Sequence, residues 1–305
     1  MSEYSIQVNQ LQKNYGRKQA IRNLNLELHQ DQIIGLIGAN GSGKTTFFKM
    51  CVGLEGITSG SIRILGGDAW KDMAVRSEII YSMHDLPVLP TEKLKNILRC
   101  YEIGFPHFNR EFAMKMMDLF ELPVKKNCKQ LSQGMKSLFH FVCAMASRCQ
   151  VTLLDEPFIG IDIEKRKMAY EILLRDFMEH PRTFVISSHN LAELEGVLSE
   201  MVLIHQGELV FYQDMDLVRE MLCRVSGSSE KIQKFAEAQS QGKIIHQDSG
   251  ELGDSLILEG SADSSLALEA KRAGLEVESV APEDVCVYLT TSGRERQLDT
   301  LWRHD

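Results

Sequence analysis

Apolar and polar positions alternate with period two near the start of the chain, over residues 4–8 and again over Leu24, Asn25, Leu26, Glu27 and Leu28. That pattern predicts two half-buried strands. Residues 32–37 and 151–155 are instead short, almost continuous apolar runs, the pattern of strands buried on both faces. A further strand is expected over 61–65, closed by a turn at Gly66, Gly67 and Asp68. Apolar residues then recur with helical period over 91–122, broken near Pro106 and Asn109, and Pro123 begins a loop to Gln130. Helices are expected over 137–149, 163–180 and 191–198, a strand over 183–188, and a hairpin of 201–205 with 208–211 about Gln206 and Gly207. Strands alternating with helices predict an α/β fold whose sheet is covered on both faces.

The character of the chain changes after about Glu220. From Leu222 onward there are nine Lys/Arg and fifteen Asp/Glu, which accounts for most of the net charge of −8. The expected order there is strand 222–226, helix 229–239, strands 243–247 and 255–259, helix 263–273 and strand 275–280, with a short helix from Pro282. A β-α-β-β-α-β succession is the ferredoxin-like arrangement. The reading is therefore a domain over residues 1–220 and a small C-terminal α+β domain over 221–305.

Composition narrows the function classes. The 305 residues are 44% hydrophobic and 25% charged, ordinary for a globular protein. The longest apolar stretch, residues 138–146, is far too short to span a bilayer and contains His140. The first seven residues lack the basic and apolar regions of a signal peptide, so the chain is expected to remain in the cytosol. Seven scattered cysteines without a C-x-x-C pair read as reduced thiols. The negative net charge argues against a broad nucleic-acid footprint, and no nucleic-acid partner is expected.

Candidate chemistry is concentrated after the first buried strand. Gly38, Ala39, Asn40, Gly41, Ser42, Gly43, Lys44 and Thr45 fit G-x-x-x-x-G-K-[ST], followed by Thr46 and a helix. The glycines allow successive N–H groups to face a nucleotide's phosphates, and the helix N-terminus adds unpaired donors. Lys44 supplies a mobile charge to the β/γ-phosphates, and the Thr45 hydroxyl is suited to Mg²⁺. ATP or GTP binding is the expectation.

Four later elements stand in a fixed order: Leu131-Ser132-Gln133-Gly134-Met135 at a helix start; Asp155-Glu156-Pro157 after a buried strand; Ile159-Gly160-Ile161-Asp162; and His189 at a strand end. With the phosphate loop, this set resembles the nucleotide-binding subunit of ATP-binding cassette (ABC) transporters over about residues 3–220. The resemblance implies a phosphate-loop cassette with a mixed sheet core and a helical subdomain, ATP and Mg²⁺ as cofactors, and ATPase activity. A carboxylate at a buried strand end needs a cation, and Mg²⁺ on the nucleotide suits Asp155. Glu156 would face the γ-phosphate and polarise the attacking water. His189 looks like the family's switch histidine, and Tyr15 stands where the family's aromatic stacks on adenine. Asp162 resembles the acidic residue that contacts the opposite subunit, and it also suits an ordinary helix N-cap.

The resemblance further implies that Ser132, Gln133 and Gly134 complete the ATP site of a second subunit, in a homodimer or heterodimer. The usual string has Gly at position 133 and Gln at 135. His84 stands where the family carries a Mg²⁺-ligating Gln; imidazole is a poor Mg²⁺ ligand, leaving Asp85 or a bridging water as substitutes. The implied partner is an integral membrane permease, with the chain held at the inner face of the cell membrane. The single cassette and short C-terminal domain are similar to bacterial exporter subunits for antibiotics, lantibiotics or sodium. The alternative is a soluble family ATPase acting on DNA or ribosomes. Such chains usually carry paired cassettes, zinc modules or long coiled coils, and none is read here.

Overall fold

The computed structural model describes residues 3–83, 91–238, 244–250 and 253–291. They divide into two compact units, Met1–His189 with Gly196–Tyr212, and Asn190–Glu195 with Gln213–Asp305.

The first unit runs β1 (Tyr4–Tyr15), β2 (Lys18–His29), β3 (Ile33–Ile37), α1 (Lys44–Cys51), β4 (Ser59–Ile64), α2 (Met73–Ser77), β5 (Ile79–Met83), α3 (Leu94–Gly104) and α4 (Arg110–Leu119). A 3₁₀ turn at Cys128–Gln130 leads to α5 (Gln133–Ser147), β6 (Val151–Asp155), α6 (Ile163–Glu179), β7 (Thr183–Ser188), β8 (Glu200–His205) and β9 (Glu208–Asp214). One sheet is antiparallel, in the order β2-β1-β4. The other has the order β5-β6-β7-β3-β8-β9, and its first five strands are parallel.

Both strands of the first ribbon are longer than their alternating segments suggest. Inward residues Ile6, Val8 and Leu11 of β1 break the period of two, because the pairing shifts register between Val8 and Leu11. Gln10 and Asn23 take positive φ beside that shift. Such a bulge carries pairing onward while interrupting the alternation. The ribbon, α1 and the parallel sheet share one core, in which Phe47 and Phe48 of α1 are fully buried.

Helix α5 is apolar on nearly every side and buried from Ser137 to Ser147, as a central helix must be. It starts at Gln133, four residues before the apolar pattern, because the Ser132 hydroxyl caps it by accepting the Met135 N–H at 3.2 Å. At the far end Arg148 and Arg182 both grip Asp176 of α6, each at 2.7 Å. The expected helix at 191–198 is a set of turns. Leu191 and Leu194 are buried at helical spacing, but only Leu194 and Glu195 donate back to the Leu191 carbonyl before Gly196. The segment is too short to propagate a helix.

The second unit contains α7 (Met215–Arg219), β10 (Leu222–Gly227), α8 (Ser229–Ala238), β11 (Ile244–Gly250), β12 (Gly253–Glu259), α9 (Ser265–Arg272), β13 (Glu276–Ser279) and α10 (Pro282–Thr290). Its antiparallel strands lie in the order β11-β12-β10-β13. Val225, Leu256 and Leu258 of the sheet pack with Ile232, Phe235 and Leu266 of α8 and α9 in a core of their own.

Candidate functional site

The parallel strands β3, β6 and β7 end on one edge of the sheet, the edge where open α/β sheets bind ligands. A cleft of about 370 Å³ opens there. Asn40, Gly41, Gly43, Lys44, Thr45 and Thr46 line it from the phosphate loop, and Asp155, Glu156 and His189 from the ends of β6 and β7. Tyr15 closes one side, with Lys18, Ala20 and Ile159.

The loop is shaped for an anion. Gly43 has φ +114°, and a Cβ there would meet Ile21 Cδ1 at 2.7 Å and the Ala20 carbonyl at 2.8 Å, so only glycine fits. As the N-cap of α1 it offers no side chain to the helix's first N–H groups. The Ser42 hydroxyl is buried and has no hydrogen-bond partner among the described residues. Lys44 is 6% exposed, and its ammonium donates to the carbonyls of Gly38 (2.5 Å) and Ala39 (3.3 Å). Burial lowers the Lys44 pKa from its ordinary value, opposed by the nearby Glu156 and Asp155 carboxylates.

Asp155 is held on both oxygens: Tyr81 donates its hydroxyl at 2.9 Å and Ser187 at 2.5 Å. Glu156, in the left-handed region at φ +49°, approaches His189 Nδ1 with its two oxygens at 2.9 and 3.0 Å. The Glu156 N–H donates to the Ser187 hydroxyl at 3.0 Å. A hard-oxygen set of the Thr45 hydroxyl and the Asp155 carboxylate, lining the same cleft as Lys44, fits Mg²⁺ carried on a phosphate chain. Tyr15 is 45% exposed with its ring in the cleft, and the Lys13 ammonium lies 4.7 Å from the ring centroid.

The second motif group lies elsewhere. Ser132, Gln133 and Gly134 do not line the cleft; they begin α5, packed against the loop that leads to Asp162. A Cβ on Gly134 would meet the Gly160 carbonyl oxygen at 2.2 Å, and Ser137 Oγ donates to the Ile159 carbonyl at 2.9 Å. Asp162 caps α6 by accepting the Lys165 N–H at 2.9 Å. His84 and Asp85 lie outside the described residues. Sequence reasoning passed over Tyr81 and Ser187. The available signal was a polar residue inside an apolar strand, since a buried hydroxyl requires a partner.

Comparison with known proteins bears on this arrangement. The family model described as ABC transporter matches residues 21–159. The ABC transporter ATP-binding protein YcbN of Bacillus subtilis (strain 168), itself uncharacterized, is 31% identical over 224 residues, covering 71% of this chain and 71% of that protein. The chain belongs to the ABC transporter ATP-binding proteins. It is an ATPase of that family. The phosphonates import ATP-binding protein PhnC of Fusobacterium nucleatum is 26% identical over 72% of this chain and 96% of its own length. The fold matches a solved ATP-binding subunit of an ABC transporter with a TM-score of 0.62, at 23% identity over 70% of this chain and 91% of that one. Among the described residues no helix is long and apolar enough to cross a membrane.

Proposed function

We propose that this ATP-binding subunit hydrolyses ATP between two head-to-tail cassettes and drives export through a separate membrane permease, working at the inner face of the membrane. Lys44 holds the β/γ-phosphates, and Thr45 and Asp155 hold Mg²⁺, which supplies neutralising charge on the phosphate oxygens. Glu156 orients and deprotonates the attacking water, and His189 bonds the γ-phosphate. Tyr15 stacks on adenine. Ser132 and Gly134 serve the nucleotide held by Lys44 of the other subunit, with Asp162 beside them. Residues 221–305 form a ferredoxin-like accessory domain. Export is favoured by the single cassette followed by a short C-terminal unit, a layout similar to bacterial exporter subunits. The relative named for phosphonate import makes direction a matter for transport into inverted membrane vesicles.

The observation that carries the reading is the convergence of Lys44, Asp155, Glu156 and His189 on one cleft, with the Glu156 carboxylate 2.9 Å from His189. Glu156→Gln keeps the shape and removes the base, so it binds ATP, loses most turnover and accumulates as an ATP-bound dimer. Near wild-type hydrolysis by this variant would refute Glu156 as base. The sandwich is tested by mixing Ser132→Arg and Lys44→Ala subunits, each inactive alone. A heterodimer with one intact composite site regains activity, and no recovery in confirmed heterodimers counts against it.

A further inference from the structure

Ser187 is fully buried at the end of β7, in register with Asp155 of β6. Its one hydroxyl serves both acidic residues of the cleft. The oxygen accepts the Glu156 N–H at 3.0 Å, and the proton is donated to Asp155 Oδ1 at 2.5 Å. Glu156 needs such a tether. It is not glycine, yet it sits at φ +49°, a conformation that surrounding contacts must over-determine. The preceding strand fixes Asp155, but the peptide after it turns out of the sheet, where no ladder bond receives its N–H. The Ser187 hydroxyl replaces that missing bond. The Tyr81 hydroxyl, by contrast, serves Asp155 and not Glu156, through the other carboxylate oxygen at 2.9 Å.

We propose that Ser187 is a positioning residue that locks Asp155 and the strained Glu156 backbone into one rigid pair, so that the metal-binding oxygen and the catalytic carboxylate keep a fixed separation. Pre-organisation of this kind acts on turnover more than on nucleotide affinity. The inference rests on the roles proposed above for Asp155 and Glu156.

Ser187→Ala removes both bonds with little change in volume. It should lower kcat about tenfold to a hundredfold, the scale of one buried unsatisfied donor, with KM for ATP within about threefold. Ser187→Thr, which keeps the hydroxyl on a strand-compatible side chain, restores most of the loss. Tyr81→Phe weakens only the Asp155 contact, so its deficit shrinks as Mg²⁺ is raised, whereas that of Ser187→Ala persists. Two readouts do not depend on turnover. In Ser187→Ala the Glu156 amide proton loses its protection from hydrogen exchange, and Mn²⁺ binds several-fold more weakly in the presence of a non-hydrolysable ATP analogue.

Wild-type kcat in Ser187→Ala overturns the proposal, as does a Thr variant no better than Ala in a folded protein. Unchanged Glu156 exchange and Mn²⁺ affinity overturn it too. If Glu156→Gln retains turnover, the base assignment fails separately, and the Ser187 proposal is then decided by exchange and Mn²⁺ binding.

Discussion

Asp176→Ala is the substitution whose cost the structure specifies most directly. The Asp176 carboxylate is 5% exposed and receives Arg182 Nη2 on one oxygen and Arg148 Nη2 on the other, both at 2.7 Å. Arg182 is 2% exposed and also donates to the carbonyls of His180 (3.1 Å) and Met145 (3.3 Å). The guanidiniums lie over Phe184 and Phe112, at 4.6 and 4.8 Å from the ring centroids. Removing the carboxylate leaves the buried Arg182 and the partly buried Arg148 facing each other without the carboxylate that bridges them, with Glu179 the remaining opposite charge near Arg148. Breaking a buried pair from one side costs about 3–5 kcal/mol. At about 2–4 °C per kcal/mol for a chain this large, melting should fall by roughly 10 °C. Asp176→Asn keeps an acceptor oxygen and should lose less. The triad sits beside Gln150 and Thr183, where β6 and β7 begin, and the cleft sits where they end. ATP affinity measured below the melting transition should therefore be unchanged. Calorimetry with urea titration supplies the stability, and a fluorescent ATP analogue the affinity. A shift below about 2 °C, under 1 kcal/mol on the same scale, would show that the pair contributes no net stability and refute the reasoning.

Tyr15→Ala should weaken ATP binding about tenfold or more, the scale of one base–aromatic stack, while Tyr15→Trp keeps it; equal affinities in a titration would remove Tyr15 from the base site. Gly134→Ala places a methyl 2.2 Å from the Gly160 carbonyl and should cost about 1–3 kcal/mol of stability, read by urea melts; an unchanged midpoint would mean that the start of α5 and the loop at Gly160 part freely. Thiol labelling at pH 8 should reach exposed Cys100 first. Burial raises the pKa of Cys51, Cys143 and Cys149 and pushes Cys286 up to about 12, leaving little thiolate at any of them. Early modification of Cys143 in mass spectrometry would contradict the packing of α5.

The parts of the site legible in the sequence are those in which chemistry and chain order coincide. The phosphate loop is contiguous, and its glycines are required by contacts such as that between Gly43 and the Ala20 carbonyl. Asp155 and Glu156 could be read because they close a short apolar run behind a phosphate loop, and His189 because the resemblance assigns its position; parallel strands deliver all three to one edge. For Tyr81 and Ser187 the sequence offers only a polar residue inside an apolar strand; their partner, Asp155, arises from the lateral register of β5, β6 and β7, which a linear pattern does not encode. The Arg148–Asp176–Arg182 triad is hidden for the same reason, with its members on two helix ends and a strand entrance. The missed bulge at Val8–Leu11 and the turns at 191–197 are local failures of period counting. In one an extra residue breaks the alternation; in the other two well-spaced leucines imitate a helix.

The Lys44 ammonium, resting on the carbonyls of Gly38 and Ala39, has a consequence for how the nucleotide arrives. The loop carries its own surrogate ligand. The chain closes a small ring around a cation that it supplies itself, through carbonyls of the same loop. Entry then becomes an exchange, in which an incoming phosphate oxygen replaces a carbonyl oxygen on the same ammonium. A ligand ending at the ribose has nothing to offer in that exchange, whereas a triphosphate brings stronger acceptors than the carbonyls it displaces. Discrimination between nucleoside and nucleotide is in this way part of the loop's own chemistry.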